Sequence, residues 1–318
     1  MRAIVTGSNG FIGFNLCQKL HQEKWDVVGV DDLSSGRRDN VIEGFRYEFM
    51  KIQEKERMEQ LIRDFEPDAI FHLAAVPRVS YSVENPFITA EANVMGTLSI
   101  LEGVVKAGLV DKTRVVSTSS SSVYGGAEQM PTPESHPCDP KSPYALEKYQ
   151  SEEWGRLFAN LYGLDIVSLR YFNVFGPHAI FGGAYSTVLT AWLYHIYVDP
   201  SYEAFLEDDG TQSRDFCFVD NVVQANVLAA TREKGFRGEA FNVAQGSSTT
   251  LLECKDMIEE LSGKPLNLEQ RPPRVGDVRH TLADISAARR ELGYNPTTDF
   301  LGQLQIMADW YANHYPKT

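Results

Sequence analysis

Tyr144 and Lys148, in the run Tyr-Ala-Leu-Glu-Lys, stand four residues apart. On a helix that spacing puts the phenol and the ammonium on one face, where both can address one site. A free tyrosine titrates near pH 10, and a neighbouring positive charge favours the phenolate. A phenolate can take the proton of an alcohol while a hydride leaves the same carbon. The same spacing also occurs where both side chains simply face solvent, so other residues must decide. Upstream lies Thr118-Ser-Ser-Ser-Ser-Val-Tyr-Gly125. Consecutive serines often mark a solvated connector. These follow the apolar pair Val115-Val116 and sit where a strand would end, which makes a hydroxyl available for chemistry.

A second cluster opens the chain. Thr6-Gly-Ser-Asn-Gly-Phe-Ile-Gly13 links an apolar run to a helical pattern. Gly7, Gly10 and Gly13 permit a tight turn and close backbone approach, and the following helix would aim free N–H groups at a pyrophosphate. Asp31 follows Gly7 by 24 positions at the end of a second apolar run. A carboxylate there bonds an adenosine ribose and repels a 2′-phosphate, which favours NAD over NADP. Arg37 and Arg38 lie close enough in sequence to soften that preference. A ligand-free glycine turn is the alternative, and the strand–glycine–helix context weighs against it.

Bulk properties narrow the classes. The 318 residues carry 30 basic and 43 acidic side chains, a formal net charge of -13, and 43% are hydrophobic. Such an acidic chain is a poor general binder of nucleic acid, whose affinity rests on phosphate neutralisation. Cys17, Cys138, Cys217 and Cys254 form no CxxC pair, and the seven histidines show no ligand spacing, so no metal is expected. No basic-then-apolar leader opens the sequence and no apolar run reaches membrane-spanning length. A cytoplasmic protein without membrane contact is expected.

The elements that must position these residues alternate. Ala3–Thr6, Asp26–Val30, Ala69–Leu73 and Arg114–Ser117 read as buried strands, with helices over Phe11–Glu23, Glu54–Phe65 and Asn93–Ala107 between them. Alternation of this kind predicts an α/β fold, a doubly wound parallel Rossmann sheet. A helix begins at Ser142-Pro143-Tyr144 and closes at Gly163, and a strand follows over Asp165–Val174. Beyond Gly176 the pattern loosens into what reads as short, irregular elements. That gives an NAD-binding domain over 1–176, with returning segments about 216–243 (a helix over Asp220–Ala230, a strand over Ala240–Val243). A smaller α/β substrate-binding region, mainly 177–318, is interleaved with it at the C-terminal end.

Taken in order, TGSNGFIG, Asp31, HLAA at 72–75, the serine-rich strand end before VYG, YxxxK and Arg170-Tyr-Phe-Asn-Val-Phe-Gly-Pro177 resemble one family. It is the extended short-chain dehydrogenase/reductases, specifically the nucleotide-sugar 4-epimerases acting on UDP-glucose and UDP-N-acetylglucosamine. The resemblance implies tightly bound NAD+, held by Gly7, Asn9, Gly10, Phe11, Ile12, Gly13, Asp31, Leu73, Ala74, Ala75, Tyr144 and Lys148. It implies Tyr144 as acid/base, Lys148 as its electrostatic partner and Ser120 as the catalytic hydroxyl. It further implies a UDP-sugar contacted by Ser121, Ser122, Asn173, Phe205 with Leu206, Arg214, Arg274 and Asp277, the two arginines clamping the diphosphate. Thr281, four positions past Asp277, would be the gate whose size admits an N-acetyl group.

The same scaffold also serves dehydratases and decarboxylases. Those relatives place carboxylates where this chain has Ser121 and Ser122, so the resemblance favours C4 epimerisation through a transient 4-keto sugar. UDP-glucuronate is the rival substrate, with Arg78, His178 or Arg279 meeting its carboxylate. A non-catalytic NAD-binding sensor or scaffold is the rival of a different class, and intact Tyr144, Lys148 and Ser120 argue against it. A simple NADPH reductase is disfavoured by Asp31. The family also implies a homodimer through two helices per subunit, here about Asn93–Ala107 and Tyr144–Tyr162.

Overall fold

In a computed structural model of the protein, the described residues are 1–183, 186–273 and 278–316. Six strands, β1 (Arg2–Thr6), β2 (Asp26–Asp31), β3 (Arg46–Phe49), β4 (Ala69–His72), β5 (Arg114–Ser120) and β6 (Ile166–Tyr171), are joined by a seventh at Glu239–Val243. All pair in parallel, in the order β3-β2-β1-β4-β5-β6 and then the Glu239–Val243 strand. The direction of winding reverses between β1 and β4, which opens a crevice at the carboxyl ends of those strands.

Helices α1 (Phe11–Gln22), α2 (Lys55–Phe65), α3 (Val79–Glu84), α4 (Pro86–Ala90), α5 (Gly96–Ala107) and α6 (Pro143–Tyr162) fall in the first half. Helices α7 (Val188–Tyr197), α8 (Val219–Thr231), α9 (Leu251–Ser262), α10 (Ser286–Leu292) and α11 (Phe300–His314) follow. Alternation along each strand sorts the sheet's two faces. In β1, Ala3 and Val5 pack towards Leu16 of α1, Val222 of α8 and Ala288 of α10. Ile4 points the other way, towards Met58 and Ile62 of α2 and Ile100 and Val104 of α5.

The local signals act where they were expected. Ser142 caps α6 by accepting the Ala145 N–H at 3.2 Å, Pro143 occupies its first turn, and Gly163 ends it at φ +75°. Sequence reasoning ran the strand after it to Val174. The strand instead stops at Tyr171, Asn173 adopts φ +29°, and Val174–Phe175 pairs separately with Cys217–Phe218. The helix expected from Asn93 begins with a π-helical turn, Glu91–Met95, before α5 takes over.

The largest departure lies beyond Gly176. In place of short irregular elements, α7, α9 and α11 run for 10, 12 and 15 residues. They enclose a separate core around Trp192, Leu193, Leu304, Met307, Phe175, Phe216 and Phe218. The glycines and prolines that seemed to break the region sit in connections, and Thr250 with Glu253 forms a capping box that starts α9. No helix among the described residues is long and apolar enough to cross a membrane.

Candidate active site

The crevice is a cleft of about 1430 Å³, open to solvent at its mouth. Gly7, Asn9 to Gly13, Asp31, Leu73 to Ala75, Tyr144 and Lys148 all line it, and so does Ser120. The glycine loop has no room for side chains. Gly7 stands at φ +71°, and a Cβ there would lie 2.8 Å from the Ala74 amide nitrogen. A Cβ at Gly13 would come within 2.0 Å of the Gly7 carbonyl oxygen. The loop is therefore pressed against the start of α1 and the end of β4, leaving a bare-backbone cradle suited to a dinucleotide's pyrophosphate.

Asp31 organises this cradle. One carboxylate oxygen accepts the Asn9 N–H at 3.0 Å, and the other accepts the Leu33 N–H at 2.8 Å. Burial pushes its carboxyl up, and those two N–H groups pull it down. Asn9 in turn donates to the carbonyls of Arg37 (3.2 Å) and Asn40 (2.9 Å). Arg37 lines the cleft, but its guanidinium is paired with Asp39. Arg38 is exposed and outside the lining.

At the other end stands Tyr144, whose backbone N–H donates to Ser82 Oγ at 3.1 Å. Burial pushes its phenol up to about 12, a bond with the Ser120 hydroxyl pulls it down, and the charge of Glu147 pushes it up. Lys148 is buried, and its Nζ donates to the Thr118 carbonyl at 2.9 Å. Burial brings this ammonium down to about 8, against the pull of Glu147 and Glu152. His72 bridges Thr6 Oγ1 (2.9 Å) and Thr97 Oγ1 (3.0 Å). Burial, helped by Lys148, lowers it to about 3 and keeps it neutral.

Sequence reasoning missed Glu147. It reads as one more polar residue of a helix surface, yet its carboxylate is buried and accepts Thr89 Oγ1 and Asn93 Nδ2, both at 2.6 Å. Asn93 also grips the cleft wall, accepting the Val76 N–H at 2.7 Å and donating to its carbonyl at 3.1 Å. The π-helical turn thus links α6 to the loop after β4. Met50, Ile52 and Gln53 were missed as well, and His178, named from the sequence only as a candidate for a glucuronate carboxylate, also lines the cleft. The first three follow the short β3, whose Arg-Tyr-Glu-Phe pattern is a weak strand signal. His178, at φ +70°, has ring contacts with Phe14 (4.7 Å) and Trp310 (5.2 Å). Burial and Arg37 lower it to about 4.

The four serines divide their work. Ser119 Oγ donates to Glu152 at 2.5 Å, and Glu152 holds Arg170 through two bonds of 2.9 and 2.7 Å. Arg170 reaches the Tyr124 hydroxyl, which donates to Asn242, so the tyrosine of VYG is part of the frame. Ser120 Oγ accepts from the N–H (3.2 Å) and hydroxyl (3.0 Å) of Ser122. Ser121 and Ser122 lie outside the cleft lining, in a short 3-10 turn.

The residues assigned to the UDP-sugar are placed elsewhere. Asn173, Phe205, Arg214 and Thr281 do not line the cleft as bounded above. Asn173 Nδ2 donates to the Asp215 carbonyl (3.1 Å) and to Thr281 Oγ1 (3.2 Å), and Arg214 donates to the Ser213 and Arg279 carbonyls. Phe205 and Leu206 belong to a strand, Phe205–Glu207, that pairs with Glu269–Arg271, and the Arg271 guanidinium covers the Phe205 ring at 4.0 Å. Arg274 and Asp277 lie outside the described residues.

The model of the NAD dependent epimerase/dehydratase family matches residues 3–244. A UDP-glucose 4-epimerase of Mycolicibacterium smegmatis is 38% identical over 98% of this chain and 99% of its own. Among solved structures, the UDP-glucose 4-epimerase of Thermotoga maritima, held with UDP-glucose, superposes with a TM-score of 0.91 at 32% identity, covering 98% of each chain. The UDP-N-acetylglucosamine 4-epimerase of Methanobrevibacter ruminantium, held with UDP-N-acetylmuramic acid, gives 0.89 at 32% identity over 98% of this chain and 97% of its own.

Proposed function

The chain belongs to the NAD dependent epimerase/dehydratase family, and we propose that it interconverts UDP-N-acetylglucosamine with UDP-N-acetylgalactosamine, and UDP-glucose with UDP-galactose. At the coarser level it is an NAD-dependent UDP-sugar 4-epimerase. The observation that supports epimerisation over elimination is that the short turn leaving β5 carries Ser121 and Ser122 where the dehydratase and decarboxylase relatives carry carboxylates, and the charge in the cleft is consistent with it. The cleft's described lining holds two carboxylates, Asp31 and Asp32, both at the end of β2. Tyr144 and Ser120 sit by the end of β5, three strands away in the order β2-β1-β4-β5, or about 14 Å at the usual strand spacing. No described carboxylate lines the reaction end to move a proton at a second carbon.

Gly7, Gly10, Gly13 and Asp31 would hold NAD+, which would supply the hydride acceptor and donor for C4 of the sugar. Tyr144 receives the 4-hydroxyl proton, and Ser120 bridges phenol and hydroxyl; once the 4-keto sugar has turned so that its other face meets the returning hydride, Tyr144 gives the proton back to the C4 oxygen. Lys148 contributes charge within the same buried end. Thr281 is the small gate that leaves space for an N-acetyl group. Residues 1–176 with the returning segments hold the dinucleotide, and 177–318 mainly hold the UDP-sugar. The three candidates for a glucuronate carboxylate are occupied otherwise. Arg279 pairs with Asp208 and Asp209, Arg78 donates to the Gly182 and Gly183 carbonyls, and His178 is held neutral. That supports an uncharged hexose.

The test is direct. UDP-GlcNAc, UDP-glucose and UDP-glucuronate are incubated separately with the enzyme, and the C4 configuration is read by NMR. Inversion of the first two alone is expected; a need for stoichiometric NADH, or release of a keto sugar, would overturn the reading. A cytoplasmic homodimer completes the proposal. Phe87 is 81% exposed, Val83 62% and Leu161 63%, on the packed helices α3, α4 and α6. Mass by light scattering should give a dimer, and Phe87→Glu a monomer.

A further inference from the structure

Asp215 is wholly buried, and the hydrogen bonds its carboxylate accepts come from backbone N–H groups, not from a lysine or arginine. Its carboxylate is instead a junction. Oδ1 accepts the backbone N–H of Gln245 (3.0 Å) and Gly246 (3.3 Å). Oδ2 accepts those of Gly246 (3.2 Å) and Ala283 (3.1 Å). The backbone of the same residue continues the pattern. Its N–H donates to Thr281 Oγ1 at 3.0 Å, and its carbonyl accepts Asn173 Nδ2 at 3.1 Å. Three stretches of chain, at 173, 245–246 and 281–283, therefore meet at one side chain and its peptide groups.

Only an ionised carboxylate satisfies this arrangement completely. An amide would present an NH2 to one of the N–H donors, and an apolar residue would leave three buried donors unpaired. The fold beneath has its own supports, since Tyr294 donates to the Ala244 carbonyl and Val243 is paired in the sheet. What Asp215 adds is the placement of Asn173, held at a φ of +29° that side-chain-bearing residues rarely adopt, and of Thr281.

We propose that Asp215 is a positioning residue for the sugar-nucleotide site, fixing Asn173 and Thr281 by clasping the end of the Glu239–Val243 strand to the segment 281–283. The proposal rests on the reading above that Asn173 and Thr281 face the UDP-sugar. It predicts damage confined to substrate binding, because no atom of the clasp touches the glycine cradle or Tyr144.

The experiment compares Asp215→Asn with the wild-type holoenzyme for KM, kcat and bound NAD. Loss of one buried charge-assisted bond should raise KM for the UDP-sugar about tenfold, with kcat within about threefold and cofactor content unchanged. A KM within twofold of wild type, or KM, kcat and cofactor content failing together, would overturn the proposal. Should Asp215→Asn not accumulate as folded protein, the wild-type KM at pH 6 and at pH 8 reads the same link, since a proton on the carboxylate opposes one of its N–H donors. A KM several-fold higher at pH 6 then supports the clasp, and equal values refute it. Thr281→Tyr keeps the two ideas separable. If it fails to discriminate acetylated from plain sugars, the substrate reading falls. If it discriminates while Asp215→Asn leaves KM alone, the clasp falls.

Discussion

The glycine cradle and the Asn173–Thr281 cluster sit in one molecule and are held by opposite means. The cradle is made from backbone alone: Gly7, Gly10 and Gly13 are defined by what they lack, and their partners lie within one strand–loop–helix unit plus the end of β4. The cluster is made from side chains, and its members are separated by 42 residues (Asn173 to Asp215) and 66 residues (Asp215 to Thr281). A local motif fails sterically, when something is added. A long-range junction fails electrostatically, when something is removed or protonated. Perturbing each half should therefore leave different traces.

The largest effect should come from the reacting group itself, Tyr144. Tyr144→Phe removes the acid/base oxygen and keeps the ring, and kcat should fall by about 10³-fold with bound NAD retained. Retained activity would move the proton transfer to another group. Gly13→Ala probes the cradle in isolation. Its methyl would have to displace the Gly7 carbonyl, which it approaches to 2.0 Å. A shift of that size should weaken cofactor retention about a hundredfold, read as loss of bound NAD on gel filtration. If Gly13→Ala instead raised KM for the UDP-sugar and kept its NAD, the separation of the halves would be mistaken.

The cluster should respond to pH as the cradle does not. Burial pushes the Asp215 carboxyl up to about 7 against three backbone N–H groups. Cys217 and Tyr294 beside it are pushed above their usual values and stay neutral, and Arg289 acts on Tyr294. Above pH 7 the ionised carboxylate accepts all its donors; below it, a proton on one oxygen opposes an N–H. KM for the UDP-sugar should thus be several-fold higher at pH 6 than at pH 8, and flat in Asp215→Asn. Fold stability carries the opposite sign. The folded-state value lies above the unfolded one near 4, so this group's contribution declines as pH rises from about 4 to 7. His280, bonded to Ser213, is controlled for by His280→Gln.

The contrast also explains what could be read from the chain alone. Gly7, Gly10, Gly13 and Asp31 follow from glycine spacing and an acid 24 positions on, both local, and all four line the cleft; Leu73 to Ala75, which line it too, were named only through the family resemblance. The parallel sheet followed from apolar runs of strand length. Beyond Gly176, loop glycines and prolines masked three regular helices, because their apolar faces pack on one another and leave little contrast with their surroundings. Asp215 was invisible for a different reason. In Arg-Asp-Phe it looks like any acid, and nothing in the neighbouring residues announces that Gln245, Gly246 and Ala283 will converge on it.

Glu147 offers the finest test of the rule that junctions fail by losing charge. Like Asp215 it is a buried carboxylate accepting from distant partners, but those partners are Thr89 Oγ1 and Asn93 Nδ2. A hydroxyl can reverse its role, whereas a peptide N–H cannot. In Glu147→Gln, the Gln oxygen would keep Asn93, and its NH2 would donate to Thr89, whose hydrogen already has the Pro86 carbonyl within 3.2 Å. The network survives, so KM and bound NAD should stay within about threefold of wild type. What disappears is the charge that pushes the Tyr144 phenol up. The alkaline-going rise of kcat should accordingly move to lower pH. A tenfold rise in KM without that displacement would show that Glu147 acts as Asp215 does, by geometry, and that the carboxylates of the two halves obey one rule after all.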